Sequence, residues 1–272
     1  MGRIDLHSHS RYSDGTATPA EVVRRAKGRG VEFLVLSDHD TVSGFPEARA
    51  EGEKLGVRVF CGMEINTRED DQVHVLGYGI DERSSALAQR LQQFRDRRRL
   101  RIGLILERLR ACGIDVRDED VAGVSQETLG RPHVADALRR KGVVSSRKEA
   151  FQRFLVKGAP AYVEPMGPSV EEAIATIREA GGWSSLAHPG LMKKTHDLER
   201  WVSAGLGGLE VYYPAHTRPQ TDRLFSTAKQ FRLTPTGGSD FHGPGSGRDE
   251  IGCVDIPKAV IDELVAKIGR AD

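Results

Sequence analysis

Cysteine is scarce in this 272-residue sequence: Cys61, Cys112 and Cys253 are odd in number and share no Cys-x-x-Cys spacing. That argues against both a disulfide framework and a thiolate zinc site. An excess of charge of one sign is missing too. Forty Lys plus Arg against 39 Asp plus Glu leave a formal charge of +1, so no global field draws the chain to nucleic acid or anionic membrane, and any basic patch must be local. Long apolar runs are absent: stretches such as Phe33–Leu36 fall far short of the ~20 residues that cross a bilayer. The opening Met1-Gly2-Arg3-Ile4-Asp5 shows no secretory apolar region, so the expectation is a soluble cytoplasmic protein with no membrane association and no obligate protein partner. Repeats and low-complexity tracts are not seen either. What the chain does have is length, enough for one large domain or a domain with an insert.

Arg3 to His7 reads as a short strand, and Pro19 opens an amphipathic helix with Val22, Val23 and Ala26 facing inward, stopped by Gly28 and Gly30. Val31 to Ser37 is a nearly continuous apolar strand, Glu47 to Leu55 a helix ended by Gly56, and Val57 to Ile65 another strand. This rhythm predicts parallel βα units in a barrel or open sheet. It resumes after residue 165, with helices over 170–180, 197–203, 217–229 and 257–268 and strands over 183–187, 208–212 and 232–236. In between, Leu87, Leu91, Phe94, Ile102, Ile105 and Leu109 follow three-and-four spacing, and no apolar strand intervenes until about Ala161. Residues 82–160 are therefore expected to form a helical insertion domain, and 1–81 with 161–272 the body that carries the sheet. The arginine run Arg95, Arg97, Arg98, Arg99 and Arg101 reads as the solvated face of a helix.

Six of the nine histidines, His7, His9, His39, His74, His188 and His242, fall at or just beyond predicted strand ends, where barrel enzymes carry their sites. In Asp5-Leu6-His7-Ser8-His9 the extended chain alternates, so His7 and His9 share a face and can share a metal. Carboxylates recur in matching places: Asp14 in the loop after the first strand, Glu64 ending the third, and Asp240 in Gly238-Ser239-Asp240-Phe241-His242. Any one of these is compatible with an ordinary hydrogen-bonded polar residue. Nine together would require repeated independent satisfaction of buried polar groups, and a multinuclear metal site is the better account. Mixed imidazole and carboxylate ligation suits Mn²⁺, Fe²⁺ or Zn²⁺ better than Ca²⁺, with Mn²⁺ the choice made here.

In this order and spacing, the motifs resemble those of the polymerase and histidinol phosphatase (PHP) family of metal-dependent phosphoesterases. The resemblance implies an α/β fold, a distorted seven-stranded (β/α) barrel holding three divalent ions at the strand ends. It assigns His7, His9, Glu64 and Asp240 to the first ion, Glu64, His74 and His188 to the second, and Asp14, His39 and His242 to the third. Two closely spaced metals can hold a bridging hydroxide aimed at phosphorus while the third binds phosphoryl oxygens. Asp240 stands beside that nucleophile in this reading, and His216, after the segment Glu210–Tyr213, is the candidate leaving-group acid or phosphate contact.

The insert with Gly130-Arg131-Pro132-His133 is similar to that of bacterial family members that remove the 3′-phosphate from nucleoside 3′,5′-bisphosphates, some of which trim short RNA from the 5′ end. Arg131, placed by Pro132 at a helix mouth, is the expected receptor for a second phosphate. His133, Lys157 and His216 are further candidate substrate contacts, and Tyr162 a residue of the pocket rim. Arg248, in a Gly-rich stretch, reads as a mobile-loop residue, and His196, beside Lys193 and Lys194, as exposed. The resemblance implies hydrolysis of the 3′-phosphate of a nucleoside 3′,5′-bisphosphate to a nucleoside 5′-monophosphate, with 5′ to 3′ cleavage of short 5′-phosphorylated RNA the near alternative. Histidinol phosphate hydrolysis and a non-catalytic scaffold stand further off.

Overall fold

Local signals set the element boundaries. Thr18 caps the first helix: its hydroxyl accepts from Glu21 N–H at 3.1 Å while the Glu21 carboxylate accepts from Thr18 N–H at 2.8 Å, with Pro19 in the first turn. The Ser169–Glu172 pair repeats this box at a later helix, and Ser84 caps the longest one. In the computed structural model, which describes residues 3–122, 127–192 and 197–268, these signals frame a seven-stranded sheet with helices outside it.

The chain runs β1 (Arg3–Asp5), α1 (Pro19–Gly28), β2 (Val31–Leu36), α2 (Phe45–Leu55), β3 (Arg58–Asn66) and β4 (His74–Tyr78). Four helices follow, α3 (Ser85–Ala111), α4 (Asp118–Ala122), α5 (Arg131–Arg140) and α6 (Arg147–Ala150), with a π turn over Phe151–Leu155. The sheet is then completed through α7 (Val170–Glu179), β5 (Trp183–Leu186), α8 (Leu198–Ser203), β6 (Gly208–Tyr212), α9 (Arg218–Gln230), β7 (Thr234–Gly237) and α10 (Lys258–Ile268). Strand order is sequential from β1 to β7. The ends nearly close into a barrel: Leu6 N–H donates to Gly237 O at 3.2 Å, His9 N–H donates to Phe241 O at 2.8 Å, and Ser8 bridges Phe241.

One strand departs from the parallel expectation. β4 is antiparallel to both β3 and β5, pairing Asn66 with His74 and Glu64 with Leu76. Because β4 runs backwards, its first residue, His74, lies beside the last residue of β3, and the histidine still reaches the end of the barrel where the other ligands gather. The return segment near Ala161 also differs from expectation, since no strand forms there among the described residues and the sheet resumes only at Trp183.

The 27-residue helix α3 belongs to two cores. Its Leu87, Leu91 and Phe94 pack with Val170, Ile174 and Ile177 against the barrel, whereas Ile102, Ile105 and Leu109 pack with Val134, Leu138 and Leu155 of the helices that follow. At ~25 cal/mol per Å² of apolar area, each side chain on this stripe stabilises its cluster by roughly 1.5–3 kcal/mol. The long helix thereby fixes the helical segment against the barrel mouth. Among the described residues no helix is long and apolar enough to cross a membrane, and all three cysteines are free thiols.

Candidate metal centre

His7 and His9 continue β1 in an extended chain and turn the same way, both completely buried. His7 Nε2 lies 3.3 Å from Glu64 Oε2 and 3.4 Å from Asp240 Oδ1; His9 Nε2 lies 3.2 and 3.4 Å from the same two oxygens. On the other side of Glu64, Oε1 is 2.8 Å from His74 Nδ1 and 3.1 Å from His188 Nε2. A third group gathers at Asp14, whose Oδ1 is 3.2 Å from His242 Nε2 and 3.7 Å from His39 Nε2, with the His9 ring 4.2 Å from that of His242. Glu64 is thus shared between two groups, as the resemblance implied. His188 and Asp240, and also Asp40 beside His39, adopt left-handed backbone with φ of +30°, +52° and +49°. Non-glycine residues pay for that conformation, and such strain concentrates where chain ends must aim side chains inward.

These nine residues are at most 9% exposed, and six of their polar atoms have no hydrogen-bond partner: His7 Nε2, His9 Nε2, Asp14 Oδ1, His39 Nδ1, His188 Nδ1 and Asp240 Oδ1. Buried polar atoms left unpaired are costly, and here they converge. The electrostatics ask for positive charge at the same place. Burial opposes a charge on His9, but the Asp240 and Glu64 carboxylates beside its Nε2 outweigh it and push its pKa up to about 9. Burial would raise Asp14, yet His242 and His39 hold its carboxyl well below the usual range. Three groups, His7/His9/Glu64/Asp240, Glu64/His74/His188 and His9/Asp14/His39/His242, each bring their ligand atoms within 4.8 Å of one another and can hold a metal ion. Imidazole nitrogens with carboxylate oxygens in a dry setting form a donor set suited to divalent transition metals.

A cavity of about 320 Å³ opens over this cluster, with Asp14, His39, Glu64, His74, His188 and His242 in its wall. Five arginines, Arg98, Arg101, Arg131, Arg147 and Arg248, line the rest with Phe151, Pro165, Met166 and Leu129. Arg101 and Arg131 each place an Nη on Asp71 at 2.7 Å, and Arg131 also donates to Leu155 O at 3.1 Å and lies over the Phe151 ring. Arg98 ties α3 to the centre: it donates to Asp40 Oδ2, to Asn66 Oδ1 and to Leu129 O, and Asn66 Nδ2 is 2.8 Å from His74 Nε2. Arg248 Nη1 lies 2.6 Å from Asp240 Oδ2.

Several expectations are corrected here. Arg248 is not a mobile-loop residue but an ion-pair partner of a metal-ligand candidate, and Arg98 and Arg101 face the cavity rather than solvent. His133 is not on a surface and does not line the cavity. It is buried in α5, where its Nδ1 accepts from Gly130 N–H at 2.9 Å and its Nε2 donates to Ser13 O at 3.1 Å, holding the loop that carries Asp14. His216 likewise has both nitrogens engaged: Nδ1 donates to Val211 O and Nε2 accepts from Gly190 N–H, each at 3.0 Å, and burial lowers its pKa. It has no proton to offer a leaving group in this arrangement. Lys157 is exposed and paired with Glu164 at 2.8 Å, and the Tyr162 hydroxyl donates to the same carboxylate, so neither residue joins the cavity lining. His196 with Lys193 and Lys194 lies outside the described residues.

The PHP domain family matches residues 5–108. A 3′,5′-nucleoside bisphosphate phosphatase of Chromobacterium violaceum is 35% identical over 289 residues, covering 99% of both proteins. The chain belongs to the PHP family. Two further relatives of the PHP chain carry other activities in their names. A 5′-3′ exoribonuclease of Haemophilus influenzae is 34% identical over 89% of this chain and 90% of its own length. A phosphoribosyl 1,2-cyclic phosphate 1,2-diphosphodiesterase of Eggerthella lenta is 35% identical over 88% and 94%. Among solved structures, a Chromobacterium violaceum amidohydrolase with bound sulfate and no metal superimposes with a TM-score of 0.88 at 33% identity, covering 97% of this chain and 96% of that one. The PHP protein described here is a phosphoesterase hydrolase with clusters able to bind metal.

Proposed function

We propose that the enzyme hydrolyses the 3′-phosphate of nucleoside 3′,5′-bisphosphates to a nucleoside 5′-monophosphate and phosphate. The observation that carries this reading is a single cavity whose wall holds two poles, the metal-ligand cluster and the Arg101–Asp71–Arg131 group. A substrate with phosphates at both ends of a nucleoside answers both poles at once.

Bound divalent ions, with Mn²⁺ the proposed species, supply Lewis acidity and a water of lowered pKa at the cluster. The ligand groups named above would hold them. Arg248, anchored on Asp240, presents a guanidinium beside the cluster for phosphoryl oxygens, whose growing charge fixed cations stabilise. Arg131 and Arg101 can receive the second phosphate by exchanging part of their contact with Asp71 for a bidentate phosphate contact. Phe151, Met166 and Pro165 offer the base an apolar wall and keep water from it. Histidinol phosphate, with one phosphate and a cationic amine, would leave the second arginine group unanswered.

A second reading, 5′ to 3′ cleavage of short RNA, is favoured by the exoribonuclease among the relatives and by the exposed Arg99 on α3, next in sequence to the cavity-lining Arg98. Phosphate release from adenosine 3′,5′-bisphosphate, adenosine 3′-monophosphate and a 5′-phosphorylated oligoribonucleotide, measured side by side with Mn²⁺, separates the two. Rapid release from the bisphosphate alone is expected; faster conversion of the RNA to mononucleotides makes the second reading the main one.

A further inference from the structure

Glu210 is fully buried on β6, a charged residue in a strand otherwise made of Gly208, Leu209, Val211 and Tyr212. Its two oxygens go to two different ligand segments. Oε1 is 3.0 Å from His7 Nδ1, and Oε2 accepts from the backbone N–H of His188 at 2.7 Å. His7 belongs to the group with His9 and Asp240, while His188 belongs to the group with His74, and Glu64 is common to both. The two segments differ in what they need. His7 must keep its proton on Nδ1 if the unpaired Nε2 is to turn a lone pair toward Glu64 and Asp240. His188 must keep the left-handed backbone, φ +30°, that aims its ring at Glu64.

We propose that Glu210 is a positioning residue that orients both ligand groups together, fixing the His7 tautomer with one oxygen and the His188 turn with the other. This rests on the reading of the cluster as a metal centre. A carboxylate is required because both neighbours donate: it accepts twice, whereas the isosteric amide accepts once and presents an NH₂ to the remaining N–H. Aspartate lacks the reach by one methylene. Outer carboxylates of this kind typically change metal affinity 10- to 100-fold when altered.

The test titrates metal-depleted wild type and Glu210→Gln with Zn²⁺ against a competing chelator, and follows thermal unfolding of the metal-free proteins. The expected result is a 10- to 100-fold loss of Zn²⁺ affinity in Glu210→Gln. A role in packing alone would lower the metal-free unfolding midpoint and leave affinity intact, which overturns the inference, as does wild-type affinity with an unchanged midpoint. Wild type that binds no Zn²⁺ overturns the metal reading instead. Should the variant fail to fold, ¹H–¹⁵N correlation of the imidazoles in Zn²⁺-loaded wild type decides: protonation of His7 at Nδ1 is expected, and protonation at Nε2 contradicts the proposal.

Discussion

The barrel end and the helical segment over it handle buried charge in opposite ways. In the barrel, His7, His9, Asp14, His39, His188 and Asp240 each keep a buried polar atom with no hydrogen-bond partner. In the helical segment, Arg98, Arg101, Arg131 and Arg147 are each tied to a carboxylate, of Asp40, Asp71, Asp71 and Asp136 in turn. A set of donors left open and convergent is built to be completed by cations, whereas arginines already paired can trade one anion for another. The first arrangement suits the chemical step and the second suits recognition, so the two regions should fail differently when damaged.

The largest expected difference comes from Asp240, whose Oδ1 lies 3.4 Å from both His7 and His9. Asp240→Asn should lower kcat by about 10³-fold or more, on the order of 4 kcal/mol of barrier, while circular dichroism stays that of the wild type. Retained turnover would remove Asp240 from the centre. Next is the core under the arginines. Leu138, fully buried among Ile105, Leu109 and Val134, should cost about 2–5 kcal/mol of stability when changed to Ala, read by denaturant unfolding. The same variant should bind Mn²⁺ normally by calorimetry, and a parallel loss of metal would show that the two regions do not act separately. Smallest is Lys157→Ala, which removes an exposed pair with Glu164 and should change kcat/KM for the bisphosphate by less than about twofold. A tenfold loss in that assay would bring Lys157 back to the substrate.

The same contrast explains what was legible in the sequence. The nine ligand candidates were readable because strand alternation and the turn after each strand are local, and His-x-His needs no tertiary knowledge to share a face. The antiparallel course of β4, which sets His74 opposite Asn66, was not legible, since periodicity carries no strand direction. Arg98 and Arg101 depart from a solvated run, and for Arg98 the signal is in the sequence: it stands four residues after Phe94 and four before Ile102, on the stripe that both residues bury. Glu210 also announced itself as a charge in the middle of an apolar strand. For His216 and His133 only one nitrogen has a local partner, Val211 O and Gly130 N–H; the partners of the Nε2 atoms, Gly190 and Ser13, arrive from segments 26 and 120 residues away. Arg248 was hidden in the same way, its ion pair with Asp240 being formed by a loop whose glycines suggested only mobility.

The division of labour is tested most directly by one ratio: kcat/KM for adenosine 3′,5′-bisphosphate over adenosine 3′-monophosphate, compared between wild type and Arg131→Ala. The account predicts that the ratio falls by about 10- to 100-fold through a raised KM for the bisphosphate, with monophosphate turnover unchanged, as expected for loss of a charge-assisted phosphate contact remote from the reacting bond. An unchanged ratio, or an equal loss on both substrates, would contradict it.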